Sequence, residues 1–136
     1  MEKTIEKRIA AATEHMERMR KARQMMAEEV AQLMKHTPEE QLRWTRSKMD
    51  LMEALYYVFE SGLLHDDMGI ATTFAEIVRQ CCSVLHVKVP GNPYLMAYRG
   101  RLRKGIKNIS YMNRYLHLME SQQQNALWNS ISNTSI

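Results

Sequence analysis

The residues that could do chemistry are few and scattered. The five histidines, His15, His36, His65, His86 and His117, stand far apart. No two are four residues apart on a helix, and none has the cysteine spacing of a metal site. Cys81 and Cys82 are neighbours. On a helix they point about 100° apart, which forbids an unstrained disulfide. Neither has an identifiable activating base or resolving cysteine, so they read as small buried apolar residues in a reducing compartment. His65, Asp66 and Asp67 form one dense His/carboxylate group, on a glycine-containing turn that reads as solvated loop. No glycine-rich loop follows a strand, so no nucleotide cradle is indicated. These residues point to a protein that is not an enzyme and has no metal or cofactor. No small-molecule ligand is evident.

The bases are different. "YRGRLRKGIK", Tyr98 to Lys107, holds five bases and no acid. It lies inside residues 77–119, 43 consecutive positions with eight bases and no acid, in a chain whose net charge is +4. Four cations around a short helix repel one another unless something anionic is near. Charge of one sign raises the local concentration of a polyanion. Nucleic-acid contact is therefore the first expectation, and acids from elsewhere in the fold are the competing explanation.

The elements that must position these bases are punctuated clearly. Residues 2–35 contain no Gly or Pro and read as one long helix. Its stripe, Ile5, Ile9, Ala12, Met16, Met19, Met26, Val30 and Leu33, steps by four and three, with Arg23 at the one vacant place. That is the seam of a left-handed pair of helices. Ile5, Ile9, Met16, Met19, Met26, Val30 and Leu33 are thus candidates for homodimerisation, and packing on the chain's own domain is the alternative. Thr37, Pro38 and Glu40 suit a short capped turn ending near Trp44. Ser47 and Asp50 fit a capping box for a helix that Gly62 stops, with Leu51, Met52, Leu55, Val58 and Phe59 inward. Thr73 and Glu76 fit another, for a helix with Phe74, Ile77, Val78, Cys81 and Leu85 inward.

A break, "HVKVPGNP", follows. Asn92 caps a basic helix expected over 92–104, with Tyr94, Leu95, Tyr98 and Leu102 on its core side and Gly105 at its end. Gly100 and Gly105 are expected to loosen it. A last helix is expected over 110–122, with Ile109, Met112, Leu116 and Met119 toward the core. Residues 123–136 read as a flexible polar tail, unless Leu127, Trp128 and Ile131 find a groove.

Capped helix, tight break and basic helix form the pattern of a helix-turn-helix, whose second helix enters the major groove. The stretches "LRWTRSKMDLMEALYYVFESGLL", "FAEIV" and "VKVPGNPYLMAYRGRLRK" also resemble the C-terminal half of the RteC family, regulators of tetracycline-element mobilisation. The resemblance covers about residues 42–120. It rests on Trp44, Thr45, Ser47, Lys48, Asp50 and Leu51, on Ser61 and Gly62, on Gly91, Asn92 and Tyr94, and on Arg99, Arg101 and Lys104. It implies a DNA-binding transcriptional regulator with a winged-helix-like domain. The family's longer N-terminal domain is replaced here by one charged helix.

The expectation is therefore an all-α chain: a long N-terminal helix over 1–36, a winged-helix-like (helix-turn-helix) domain over 37–122, and a tail. The expected partner is double-stranded DNA, bound by a dimer at a two-part site. Candidate DNA contacts are Ser47, Lys48, Lys88, Asn92, Arg99, Arg101, Arg103, Lys104 and Lys107. Arg99 and Arg101 lie nearest the groove, and Arg103, Lys104 and Lys107 are placed to contact phosphates. The alternative is a protein-interaction module that uses the basic face and the N-terminal helix. RNA binding is a third reading, for which no exposed aromatic is expected. No apolar run approaches the roughly 18 residues of a membrane helix, and the charged N-terminus lacks a signal peptide's apolar stretch. A cytoplasmic location is expected.

Overall fold

The computed structural model describes residues 2–105, 109–121 and 125–133. They fold mostly as helix, with one small antiparallel sheet. The helices are α1 (Glu2–Leu33), α2 (Lys48–Ser61), α3 (Phe74–Leu85), α4 (Pro93–Arg101) and α5 (Tyr111–Glu120). Strand β1 (Leu42–Trp44) pairs with β2 (Ile131–Asn133), with Leu42 opposite Asn133 and Trp44 opposite Ile131. An all-α expectation misses this sheet.

α2 lies at the centre. Leu51, Met52, Ala54, Leu55 and Val58 are buried, and α1, α3, α4 and α5 all pack on it. Its start follows from the sequence. Ser47 Oγ accepts from Asp50 N at 3.1 Å, and Ser47 N donates to Asp50 Oδ2 at 3.4 Å. Gly62 closes the other end at φ +67°, a conformation that costs a residue with a Cβ. Thr73 Oγ1 accepts from Glu76 N at 3.2 Å and caps α3. Thr37 makes no side-chain cap, and Pro38–Glu40 form only a single 3-10 turn.

α1 is divided between two environments. Ala22, Met26, Val30 and Leu33 are fully buried against the body. Each full-length apolar side chain so buried contributes about 1.5–3 kcal/mol. The first half of the stripe points to solvent, with Ile5, Ile9 and Met16 exposed by 56%, 61% and 71%. Met26, Val30 and Leu33 are therefore removed from the dimer candidates, because the chain's own core covers them. The long helix is not a separate unit.

The expected flexible tail is corrected as well. Ala126 and Leu127 are buried, and β2 closes the small sheet. A buried acid of α1 makes this possible. Glu29 Oε1 accepts from Leu127 N at 3.0 Å and Trp128 N at 3.3 Å, while Tyr115 Oη donates to Glu29 Oε2 at 2.7 Å. Thr45 N and Oγ1 both donate to Ser130 O, at 2.8 and 2.9 Å.

Candidate nucleic-acid interface

α3 ends at His86, which sits in the left-handed region at φ 57°. Its Nε2 lies 2.7 Å from Pro38 O, and Val87 N donates back to Cys82 O at 2.9 Å. The chain then runs through Pro90 and Gly91 to Asn92, whose Oδ1 accepts from Leu95 N at 3.1 Å. The Asn92 side chain is thereby engaged as a cap. Pro93 opens α4 at a position where its missing N–H costs nothing. α4 ends at Arg101, earlier than expected, so Arg103, Lys104 and Gly105 follow the helix.

The orientation of α4 reverses the expected one. Ala97 and Gly100 are its buried residues and face α2. A Cβ on Gly100 would meet Met49 Cγ at 3.0 Å, Glu53 Oε1 at 3.1 Å and Met49 O at 3.3 Å. Gly100 is thus a point of close helix approach, where a loosening role was expected. The bulky side, expected in the core, is turned outward: Tyr94, Leu95, Tyr98 and Leu102 are 53%, 41%, 51% and 51% exposed. Tyr94 still leans on Phe74 with ring centroids 4.6 Å apart. The expected lack of exposed aromatics is corrected with them. Arg99 lies on this outer side and is exposed. A groove of about 190 Å³ between Met49, Pro90, Leu95 and Arg99 joins the start of α2 to α4.

The ten-residue basic stretch divides into two groups. Arg103 is only 13% exposed at its side chain. Its Nη2 donates to Asp50 Oδ1 at 2.7 Å and Glu53 Oε1 at 3.2 Å, and its Nε donates to Gly100 O at 3.0 Å. Arg114 reaches the same Asp50 oxygen. Glu53 also accepts from Tyr111 N at 2.9 Å and Met112 N at 2.8 Å, capping α5 across the core. Arg101 Nη1 pairs with Glu60 at 3.2 Å and lies over the rings of Tyr56 and Tyr98 at 5.5 and 5.8 Å. Arg103 is therefore corrected from phosphate contact to internal tie, and Arg101 is held beside α2. Lys107 lies outside the described residues. Lys48, Lys88, Arg99 and Lys104 are exposed, and among the described residues none of them forms a salt bridge. The Ser47 hydroxyl serves α2 as its cap.

Burial and charge pairing set the ionisation of these ties. Burial pushes Asp50 up, but hydrogen bonds and charge from Arg103 and Arg114 more than offset it, leaving its carboxyl below the ordinary value. Burial raises Glu29 above the usual carboxylate range, and its three donors only partly oppose that. Burial pushes the Cys82 thiol up to about 11 and Cys81 upward too, so both stay protonated near neutrality. Sequence reasoning missed Glu29, Asp50 and Glu53 as ties. The available signal was the acid-free segment itself, with Asp50 and Glu53 three residues apart on one helical face.

Comparison with protein-family models, with curated proteins and with solved structures finds no match to this chain.

Proposed function

We propose that the chain is a double-stranded DNA-binding transcriptional regulator in which α3, the break and α4 act as a helix-turn-helix of winged-helix type. One observation carries this reading. α4 is docked by its small residues, Ala97 and Gly100, which leaves Tyr94, Leu95, Tyr98 and Arg99 on the outer side. A groove-entering helix needs an outer side with reach, held on a scaffold by its other side. In this reading Arg99 reads a base edge, while Lys48, Lys88 and Lys104 neutralise phosphates. The resemblance to RteC regulators supports the same reading and points to genes of mobile-element excision or transfer.

The test is duplex binding across a salt series. Log affinity is expected to fall linearly with log salt, and Lys88→Ala to make that slope shallower by about one unit. Arg99→Ala is expected to cost about 1–3 kcal/mol on a specific site. Arg103→Ala should lower stability and leave the slope of the remaining folded protein unchanged. No duplex binding at low salt would sink the proposal.

A second reading rests on the same row of exposed apolar side chains. Tyr94, Leu95, Tyr98 and Leu102, together with Val89 at 45% exposure, would suit the surface of an acidic protein partner. Absence of nucleic-acid binding would favour it. Preference for single strands, with loss on Tyr98→Ala, would instead favour base stacking.

A further inference from the structure

We infer that the exposed first half of α1 pairs antiparallel with the same segment of a second copy. The inference stands independently of the DNA reading. Its first ground is continuity. The four-three stripe that is buried at Met26, Val30 and Leu33 runs on past Arg23 through Met19, Met16, Ala12, Ile9 and Ile5, where nothing among the described residues covers it fully. A stripe of that period keeps facing a partner helix when the two wind left-handed about each other.

The second ground is a groove. About 1090 Å³ of open space lies between Met16, Met19 and Arg23 of α1 and Ser61 and Leu63 at the end of α2. Met16 and Met19 of the stripe form one edge of this groove, which Glu17, Arg20 and Glu60 also line. Leu63 forms part of the wall and is 51% exposed. A second helix laid along residues 16–23 would enter this space.

The third ground is charge, and it selects the direction. Side by side in parallel, His15 of one copy would face Arg20 of the other, and no acid would meet a base. With the two-fold axis between Ala12 and Met16, Ile9 faces Met19, Ala12 faces Met16, and Ile5 faces the Arg23 stem. Glu6 then meets Arg20 of the other copy, twice by symmetry, and shares a guanidinium that Glu17 of the same helix already holds. The small Ala12 opposite the long Met16 allows close approach at the axis. This overlap runs about 28 Å at 1.5 Å per residue. It delivers the first turn of each copy into the groove beside Leu63 of the other.

The experiment is sedimentation equilibrium on the full chain, with far-UV circular dichroism to confirm folding. A dimer is expected at micromolar concentration for the unaltered protein, and a folded monomer for Ile9→Glu with Met16→Glu. Both substituted residues are exposed, so the body should keep its helix content. Glu6→Arg should weaken association roughly tenfold, and adding Arg20→Glu together with Glu17→Gln, which removes the acid that Arg20 holds in its own helix, should restore it. A monomeric unaltered protein overturns the inference, as does a dimer that persists with both glutamates. Failure of the charge swap to rescue overturns the antiparallel register. So does an efficient disulfide-linked dimer from Ile5→Cys, because antiparallel pairing sets the two residues at opposite ends.

Discussion

Asp50 holds two guanidiniums on one carboxylate oxygen, deep between α2, α4 and α5. Replacing it with Asn leaves Arg114 without its counter-charge and Arg103 still paired with Glu53, a loss of about 3 kcal/mol near neutral pH. The sign with pH follows from its lowered pKa. Its stabilisation is present above the ordinary value of 3.8 and is lost as pH falls through the folded value. The difference between unaltered protein and Asp50→Asn in urea titrations should therefore shrink toward zero in strong acid. Glu29 runs the other way: with its pKa raised, its contribution is present below the ordinary 4.5 and lost as pH rises through the folded value. It is common to both proteins and cancels in the difference. Gly100→Ala makes a second test at this scale. Helix propensity alone gains about 1 kcal/mol. The new methyl, however, meets a backbone oxygen and a carboxylate already fixed by donors. We expect a net loss of about 1 kcal/mol by thermal denaturation. The sequence could not distinguish a loosening glycine from a packing one, because the deciding atoms belong to a helix some 50 residues earlier.

At the scale of the element, α1 shows what a periodic pattern can and cannot tell. The stripe and its spacing were legible, and so were the caps at Ser47, Thr73 and Asn92. Which part of the stripe meets the body was not, because a period specifies a face without specifying its neighbour. Two methionines in that one stripe make the point measurable. Met26→Ala should cost about 3 kcal/mol, as a fully buried side chain does. Met16→Ala, measured under dilute conditions that leave the chain monomeric, should cost less than about 0.5 kcal/mol. α4 was misread for a related reason. Its Tyr and Leu residues look like a core face, but the small face gains a closer approach to α2. The tail was misread because the groove that accepts Leu127 is built partly by Glu29, a charged residue that composition assigns to solvent. Leu127→Ala should cost about 3 kcal/mol, which a mobile tail would not show.

For the whole molecule, the acid-free segment 77–119 and the acids of α2 are two parts of one arrangement. α2 contributes Asp50, Glu53 and Glu60, which neutralise Arg101, Arg103 and Arg114 from later in the chain. What stays at the surface is a shorter set of cations around α4. Raising salt should therefore weaken any polyanion binding well before it affects folding, since the internal pairs are screened much less than exposed ones. Parallel salt titrations of binding and of thermal stability would check this separation. The clasp between Glu29 and residues 127–128 has a consequence for synthesis. Its partners are 98 and 99 positions apart, and β1 likewise waits for β2. A chain emerging from the ribosome can pack α1, α2, α3 and α4 on one another early, yet Glu29 stays without Leu127 and Trp128, and β1 without β2, until those later residues arrive. Closure is then a late, long-range event of the kind that slows folding and lengthens exposure to misassembly.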